Sequence, residues 1–348
     1  MKLAYVTPYG PEYVSIHSHT ERRQNEWRAG NVEVSHHILG SAGRRSRGAL
    51  ANLWCDLRAM RQLISLVRQE RPHVIYLRWL SPLPGMLRAL SEVAPVVLEI
   101  HANDYVETIR SSFLRRLYAG AFRNRELARA AGATFVTDEM LEDPAFRPVS
   151  GPRGVFPNGS ALEPRPSAPV HVRPKVGMSV GAVLPWSGID IFGTLARQMP
   201  DVDFVLAAPA TSVDDVAREA GPGVLVVGTT NADEYVAELS TWTAGIGTLA
   251  LYRKGIVSAT PLKVRDYIGL GVPAVIPYLD PGLLHVDDPC VLLLAEDCRS
   301  PQPLDRVALR NFLARVSGLN VGRPAIDAIS LRRIEKRRLE FLKSFALQ

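Results

Sequence analysis

The feature of this 348-residue chain that most restricts its fold is an alternation of short apolar runs with segments of helical spacing. Residues 3–8 form an apolar run that stops at proline and glycine, which is typical of a buried strand in a parallel sheet. Residues 50–69 carry apolar side chains at helical spacing, and another apolar run follows Pro72. Repetition of this pattern predicts parallel β-α-β units and an α/β fold.

A proline-rich stretch divides the alternation into two series. Prolines crowd residues 146–175, and we predict neither a helix nor a strand there. The length also exceeds what one hydrophobic core usually supports. We therefore predict two Rossmann-like doubly wound domains, residues 1–165 and 166–328, facing each other across a cleft. Residues 329–348 predict a C-terminal helix long enough to pack back on the N-terminal domain.

Composition indicates a globular protein of a reducing compartment. Hydrophobic residues make up 47% of the chain and charged residues 22%, which is ordinary for an enzyme. Cys55, Cys290 and Cys298 show no paired metal-ligand spacing. The N-terminal sequence has no long apolar core, and no run reaches the ~20 apolar residues of a membrane span. We therefore expect a cytoplasmic protein.

The net charge of +6 is compatible with phosphate-bearing ligands, an anionic membrane or nucleic acid. No basic run carries the interleaved aromatic residues on which single-stranded nucleic acids stack. We therefore expect no nucleic-acid partner.

The segment TPLKVRDYIGLGVPAVIPY predicts a loop, a helix and a strand. Lys263 lies in the first helical turn, where a cation opposes the helix dipole, so an anionic ligand would explain it. Asp266 follows three residues later on the same face, where a carboxylate accepts hydrogen bonds from sugar hydroxyls. The alternative is an exposed ion pair on a solvated helix.

This segment resembles the donor site of the retaining glycosyltransferases of family four, the group 1 glycosyl transferases, which share the GT-B fold. Three further segments occur in the family's order: RPHVIYLRW, VFPNGS and GMSVGAVLPWSGID. The resemblance implies an enzyme that moves a sugar from a nucleotide diphosphate sugar to a hydroxyl of a glycan, a lipid-linked acceptor or a small natural product. It also implies retention of configuration and no metal. The N-terminal domain would serve the acceptor and the C-terminal domain the donor.

By position, the resemblance assigns Asp266 to the nucleotide ribose and Lys263 to the diphosphate. The full donor-binding prediction comprises Gly181, Ala182, Ser187, Arg253, Lys254, Ser258, Thr260, Pro261, Leu262, Lys263 and Asp266.

The chain departs from the family pattern at several donor positions. Ser258 stands where the family has a second glutamate, and Ala182 and Ser187 stand near its usual arginine and lysine. Arg253 and Lys254 are the predicted replacements for those two positive charges. The alternative is that this pair is a solvated basic turn.

In the N-terminal domain, His101 and Asp104 follow an apolar strand and are the predicted catalytic residues. The resemblance assigns His101 to the transferred sugar, and Asp104 is the nearby carboxylate suited to general base work. The alternative for His101 is a capped or half-buried side chain. The predicted acceptor-binding residues are Tyr9, Gly10, His17 and Ser18, although the histidines are equally consistent with plain surface residues.

No cofactor is expected beyond the co-substrate, for which a UDP-sugar or GDP-sugar is favoured, and we predict a monomer or weak dimer. No metal is expected, because neither histidine pair is completed by carboxylate or cysteine at zinc-like spacing.

The C-terminal helix combines an apolar stripe with many arginines and lysines, which suits either docking on the protein or peripheral contact with the inner face of the membrane.

Three other functions were weighed against the same residues, and only the first of them has support in the sequence. Ala182, Ser187 and Ser258 suggest a nucleotide-sugar-binding protein that has lost transfer activity. A nucleotide-sugar epimerase would need inward carboxylates that the chain does not show. A dinucleotide dehydrogenase is disfavoured, because TPYGPEY after the first strand lacks the G-x-G-x-x-G turn.

Overall fold

The computed structural model describes residues 1–7, 14–38, 49–79, 84–104, 119–168, 170, 172–294 and 304–347. The chain divides into two compact units. Unit 1 comprises Met1–Phe156 with Arg332–Gln348, and unit 2 comprises Pro157–Leu331. The C-terminal segment therefore belongs with the N-terminal part of the chain.

Unit 1 is built on a parallel sheet with strand order β2-β1-β3-β4-β5-β6. Its strands are β1 (Lys2–Thr7), β2 (Glu33–Ile38), β3 (Val74–Arg78), β4 (Val96–Ile100), β5 (Gly132–Phe135) and β6 (Arg153–Val155). Its helices are α1 (Val14–Ala29), α2 (Ala49–Glu70), α3 (Met86–Ser91), a π-helical turn (Ala119–Arg123), α4 (Asn124–Leu127) and α5 (Asp138–Glu142), with a 3-10 turn at Pro144–Phe146. The strands β1, β3 and β4 are buried except at Lys2 and Arg78, and they are near-continuous apolar runs, as expected of a sheet covered on both faces.

Unit 2 contains a second parallel sheet, of order β12-β11-β10-β7-β8-β9. Its strands are β7 (Lys175–Ser179), β8 (Asp203–Pro209), β9 (Val224–Thr229), β10 (Ala244–Ile246), β11 (Ala274–Ile276) and β12 (Val291–Leu293). Its helices are α6 (Ile189–Gln198), α7 (Val213–Ala220), α8 (Ala232–Leu239), α9 (Leu262–Gly269), α10 (Arg306–Val316) and α11 (Arg323–Ala328). Short 3-10 turns lie at Pro185–Ser187, Ala210–Ser212 and Leu251–Lys254.

The last helix, α12 (Leu331–Ala346), packs its apolar stripe on unit 1. Leu339, Leu342 and Phe345 are buried with Trp27 and other core residues of the N-terminal sheet. The charged residues Arg332, Arg333, Lys336, Arg337 and Lys343 are exposed on the other face. The apolar stripe is thus occupied by the protein itself.

Two features of unit 1 differ from the sequence-based expectation. The proline-rich stretch contains β6, which pairs with β5, so the prediction of neither helix nor strand in residues 146–175 is wrong at Arg153–Val155. A three-residue strand at the edge of a sheet needs partners on one side only, which is why it tolerates flanking prolines. The pair α1 and β2 was also not predicted, because α1 is largely polar in sequence.

All strand pairs in both sheets are parallel, so the carboxyl ends of the strands gather at one edge of each sheet. Ligands of open α/β sheets bind beyond those ends. That edge of each sheet is therefore where the candidate site residues are expected.

Candidate functional site

The N-terminus of α9 is the centre of the predicted donor site. Pro261 occupies the N-cap position in an extended conformation, and no side chain caps the helix. The first backbone N–H groups of a helix have no partner within the helix and carry partial positive charge. This end of α9 is therefore suited to an anion, as the sequence predicts.

Lys263 lies in the first turn of α9 and is partly buried. Burial lowers the pKa of its ammonium to about 8. Within the described part of the chain, no residue forms a hydrogen bond or an ion pair with this ammonium. A partly buried cation beside a positive helix end is unfavourable unless an anion binds there.

Asp266 lies one turn further along α9 and is tied to another helix. The Tyr235 hydroxyl on α8 donates a hydrogen bond to Asp266 Oδ2 over 3.1 Å. Burial, and next the nearby Asp266 carboxylate, raise the pKa of Tyr235 well above its usual value. The sequence alone does not point to Tyr235, because α8 shows no motif.

A buried ion pair holds the start of α9 against the turn formed by Pro157, Asn158 and Gly159. Arg265 donates from Nη1 and Nη2 to the Asp280 carboxylate over 2.8 and 2.6 Å, and from Nε to the Asn158 carbonyl over 2.7 Å. Asn158 in turn donates from its backbone N–H to the Thr260 hydroxyl and from Nδ2 to the Thr260 carbonyl. The chain entering α9 is thereby fixed in place.

The glycine loop after β7 is partly exposed. Gly181 and Ala182 are exposed, whereas Ser187 is buried and accepts a hydrogen bond from the Leu249 N–H over 3.2 Å. The glycine that the backbone requires is Gly188, which precedes α6 with φ +74° and whose Cβ would lie 2.6 Å from Leu249 Cβ. This residue was not among those predicted for the site.

Arg253 and Lys254, the predicted replacement cations, both have partners in the structure. Arg253 makes a bidentate pair with Asp190, at 2.9 and 2.6 Å, and also donates to the Pro185 carbonyl. Lys254 Nζ lies 4.7 Å from the centre of the Trp186 ring. Both side chains therefore fasten the loop at residues 251–254 to the glycine loop.

Ser258 is buried and pairs through an isolated bridge with Leu279. Thr260, Pro261 and Leu262 form the entry to α9 described above. Ser258, Thr260, Pro261, Leu262, Lys263 and Asp266 thus lie on one stretch at the start of α9, and the structure adds Arg265, Asp280 and Tyr235 around it. In the sequence, the position of Arg265 beside the apolar face of α9 is the feature that could have indicated its burial.

In unit 1, His101 follows the carboxyl end of β4 and belongs to a buried charge cluster. His101 Nε2 lies 2.9 Å from Glu99 Oε1, and Arg23 Nη1 lies 2.5 Å from the same oxygen. Burial, and next Arg78, lower the pKa of His101 to about 4. The imidazole is therefore neutral at physiological pH.

Glu99 is the hub of this cluster. Its carboxylate also accepts a hydrogen bond from the Tyr5 hydroxyl over 2.7 Å. Burial works to raise the pKa of Glu99, but Arg23 and next His101 hold it well below its usual value. His19, which is buried on α1, has its pKa lowered well below 6.5, first by burial and then by Arg23. Glu99 and Arg23 were not predicted from the sequence.

Asp104 is buried and fully engaged by Arg123. Nε and Nη2 of Arg123 donate to the two carboxylate oxygens over 2.8 and 2.6 Å, and Nη1 donates to the Ala145 carbonyl. This geometry fastens the segment after β4 to the π-helical turn at Ala119–Arg123.

The predicted acceptor residues are only partly described. His17 and Ser18 lie on α1 and are partly buried, and His17 Nε2 lies 3.4 Å from Glu21 Oε1. The His17 ring stacks on His36 at 6.4 Å between centroids. Tyr9, Gly10 and Cys298 lie outside the described residues.

The described part of the chain contains no group of three or more histidine, cysteine, aspartate or glutamate side chains placed to hold a metal ion. It also contains no helix that is both long enough and apolar enough to cross a lipid bilayer.

Comparison with known proteins finds a family model that matches part of the chain. Residues 13–159 match the family model described as "Glycosyl transferase 4-like domain". The match covers nearly all of unit 1 apart from its first residues and α12. No curated protein sequence matches the chain.

Solved structures with similar folds extend over the whole chain. HepE from Anabaena, in complex with UDP and glucose, has a TM-score of 0.61 and 14% identity, covering 99% of this chain and 100% of its own. Sucrose-phosphate synthase from Thermosynechococcus elongatus has a TM-score of 0.57 and 16% identity, covering 100% and 97%. The galactosyltransferase WaaB of the lipopolysaccharide outer core, in its apo form, has a TM-score of 0.58 and 12% identity, covering 99% and 100%.

The fold and enzyme class predicted from the sequence are confirmed by these findings. Two six-stranded parallel sheets with flanking helices give the GT-B architecture shared with the solved structures. The match of residues 13–159 to this domain supports a glycosyltransferase, which is the enzyme class that the resemblance at residues 261–277 implies.

Proposed function

We propose that this glycosyl transferase 4-like protein transfers a sugar from a nucleoside diphosphate sugar to a hydroxyl acceptor, with retention of configuration and without a divalent metal. The observation that carries the proposal is the ammonium of Lys263, which lies without a described partner at the uncapped N-terminus of α9. Asp266 stands one turn away and supplies acceptors for sugar hydroxyls.

The diphosphate is the group that fits the start of α9. Its oxygens accept hydrogen bonds from the first amides of the helix and offset the charge of Lys263. The rigid pairing of Arg265 with Asp280 and Asn158 keeps those amides in position. A preorganised set of donors stabilises the charge that grows on the diphosphate as the sugar leaves.

A uridine nucleotide is the first candidate for the donor. HepE has been solved in complex with UDP and with UDP-glucose, and its fold covers nearly the whole of this chain. A GDP-sugar is the second candidate. No cofactor is proposed beyond this co-substrate.

The proposed reaction proceeds on the front face of the sugar. The bond between the anomeric carbon and the phosphate oxygen breaks, and the acceptor oxygen bonds to the same face of that carbon. The acceptor proton moves to the departing phosphate oxygen, so no separate base is needed. The cations and amides at α9 stabilise the leaving group, as a metal ion does in other transferases.

His101 is proposed to orient the transferred sugar, as the family resemblance implies. Because its pKa is lowered to about 4, first by burial, the imidazole acts as a neutral hydrogen-bonding group. Asp104 is proposed to hold the segment after β4, because Arg123 engages both of its oxygens. Tyr9, Gly10, His17 and Ser18 remain the proposed acceptor residues.

Because Arg253 pairs with Asp190, we propose a role for it other than the predicted contact with the diphosphate. We propose that Arg253 and Lys254 shape the glycine loop and supply positive potential near it, while Lys263 contacts the diphosphate directly.

The exposed cations of α12 are proposed to serve a peripheral contact with an anionic membrane when the acceptor is lipid-linked.

Loss of transfer activity is the competing proposal, motivated by Ala182, Ser187 and Ser258. The comparisons do not favour it, since the family match and the solved structures are described as glycosyltransferases or synthases.

The test is donor turnover with UDP-, GDP-, ADP- and dTDP-sugars, offered with glycan, lipid-linked and small-molecule hydroxyl acceptors. We expect one donor to release its nucleoside diphosphate in step with a glycosylated product, in EDTA as well as with added Mg²⁺. Nuclear magnetic resonance of the product should show the anomeric configuration of the donor. Lys263→Met should lose turnover, whereas Arg310→Met, an exposed change in unit 2, should keep it. Tight donor binding without turnover of any donor would favour the competing proposal.

A further inference from the structure

We propose that Tyr235 is a positioning residue that aims the Asp266 carboxylate at the ribose hydroxyls, so that the preference for a ribonucleotide depends on the Tyr235 hydroxyl. The inference rests on the proposed donor site, because it concerns how one residue of that site is held. Nothing in the family resemblance assigns a role to the residue at this position.

The contact joins two separate helices. Tyr235 lies on α8 and Asp266 on α9, 31 residues apart in sequence, and their side chains meet over 3.1 Å. The direction of the Asp266 carboxylate is therefore set by a tertiary contact and not by the geometry of its own helix. A ligand carboxylate held by a second residue is better oriented than one that is free to rotate.

The direction of this hydrogen bond is defined by protonation. Burial, and next the Asp266 carboxylate, raise the pKa of Tyr235 well above 10. The hydroxyl therefore keeps its proton at physiological pH and donates it to the carboxylate. A bond to a charged acceptor is stronger than one between neutral groups of the same geometry, so it favours the carboxylate orientation that the structure shows.

A carboxylate can accept several hydrogen bonds, because its two oxygens offer about four lone-pair positions. The bond from Tyr235 is therefore compatible with further bonds from a diol. A ribose presents two neighbouring hydroxyls, each a donor, whereas a 2′-deoxyribose presents one. A carboxylate fixed at the correct angle would therefore separate the two sugars by one charge-assisted hydrogen bond.

The length of the side chain explains why such support is needed here. The family resemblance places a glutamate at this position, and aspartate is one methylene shorter. A shorter side chain has a smaller reach, so its carboxylate must be aimed with less tolerance. The helix that carries it is fixed as well, because the Ser179 N–H donates to the Tyr267 hydroxyl over 2.7 Å at the carboxyl end of β7.

The experiment measures affinity by calorimetry for UDP, GDP and ADP and for their 2′-deoxy counterparts. For the best-bound base, the wild type should prefer the ribonucleotide by roughly tenfold or more, the effect of one hydrogen bond to a charged group. Tyr235→Phe should keep the ring packing, lose most of that preference, and leave the affinity for the 2′-deoxy nucleotide nearly unchanged.

Two further variants make the result specific. Asp266→Ala should also lose the preference, and adding Tyr235→Phe to it should have no further effect, because both changes remove the same interaction. Tyr76→Phe is the matched control, since it removes a buried tyrosine hydroxyl that contacts Thr134 in unit 1. This control should keep the full ribose preference. Thermal melting of each variant in the same buffer shows that it is folded.

The outcomes separate the inference from the function on which it rests. If the wild type binds none of these nucleotides, or shows no ribose preference, the proposed donor site fails and the inference fails with it. If the wild type prefers ribose and Asp266→Ala abolishes that preference while folded Tyr235→Phe retains it, the donor site stands and the role of Tyr235 is refuted. Additive losses in the double variant would refute it as well.

Discussion

Arg265 and Asp280 form a fully buried bidentate ion pair beneath the start of α9, with Nη1–Oδ2 and Nη2–Oδ1 distances of 2.8 and 2.6 Å. The same guanidinium donates to the Asn158 carbonyl, so one side chain joins α9, the segment after β11 and the turn that opens unit 2. The proposed donor site is thus supported by an ion pair whose two side chains are both buried.

Removing one partner of this pair should be costly. Asp280→Ala leaves the Arg265 guanidinium buried without its carboxylate, and we expect the free energy of unfolding to fall by about 3–5 kcal/mol. Urea denaturation followed by circular dichroism measures this. Asp201→Ala is the control, because the Asp201 pair with Arg310 is exposed and should have little effect. Equal effects of the two changes would contradict the structural role assigned to Arg265.

A second buried network attaches α12 to unit 1. Glu335 accepts hydrogen bonds from Arg23 Nε over 3.1 Å and from Trp27 Nε1 over 2.8 Å. Glu335→Ala should lower the stability of unit 1 by about 3–5 kcal/mol, since Arg23 loses one of its two carboxylate partners in a buried setting. Glu340→Ala, an exposed change on the same helix, should leave the denaturation midpoint unchanged. A stable Glu335→Ala protein would mean that this network contributes little to the docking of α12.

Lys263 should reduce the stability of the free protein. Its pKa is near 8 in the folded state, lowered by burial, and 10.5 is the ordinary value, so the unfolded state binds more protons between these two pH values. Stability therefore rises with pH across that window, and the destabilisation is fully present below about pH 8. Lys263→Met should stabilise the ligand-free protein at pH 7 by roughly 1–3 kcal/mol, and by much less near pH 10.5.

Denaturant unfolding at pH 7 and pH 10 tests this. Lys175→Met provides the comparison, because the Lys175 ammonium is paired with Glu238 and Thr241, so its removal should destabilise. A loss of stability in Lys263→Met at pH 7 would show that the ammonium is satisfied within the fold, and the argument for an anion at this point would fail.

Asp104 should behave as a structural residue. Asp104→Asn leaves Arg123 buried with a neutral partner, so the thermal midpoint should fall while the folded enzyme keeps most of its kcat. His101→Ala is the contrasting variant and should lower kcat while leaving the midpoint closer to that of the wild type. A loss of kcat by about a hundredfold or more in folded Asp104→Asn, with the basic limb of the pH profile altered, would instead support the general base assignment.

The local parts of the proposed donor site could be predicted from the sequence, and its contacts between distant residues could not. The cation at the start of α9 and the carboxylate one turn later follow from helical spacing and from the turn before them, which lie within a few residues of each other. Arg265 meets Asn158 across 107 residues, and Tyr235 meets Asp266 across 31, so no local pattern marks either contact.

In unit 1, too, the local elements could be predicted from the sequence and the contacts between distant residues could not. The strands β1, β3 and β4 are apolar runs that a sequence reveals directly. Helix α1 is polar in sequence, and its burial is understood only through Glu335, which lies 312 residues after Arg23 in the chain. In a sequence, a charged residue that will be buried cannot be distinguished from an exposed one until its partner is known. The strand β6 was likewise not predicted, because the prolines around it argue against a strand. They are tolerated there because β6 pairs with a neighbouring strand on one side only.

The proposed diphosphate site is tested most directly by calorimetric titration of wild-type protein and Lys263→Met with UDP and GDP, each compared with its nucleoside monophosphate. We expect the wild type to bind one diphosphate much more tightly than the matching monophosphate. Lys263→Met should lower the diphosphate affinity by about a hundredfold while leaving the monophosphate affinity nearly unchanged. Equal diphosphate binding by the two proteins, with both of them folded, would contradict the claim that Lys263 and the N-terminus of α9 hold the diphosphate.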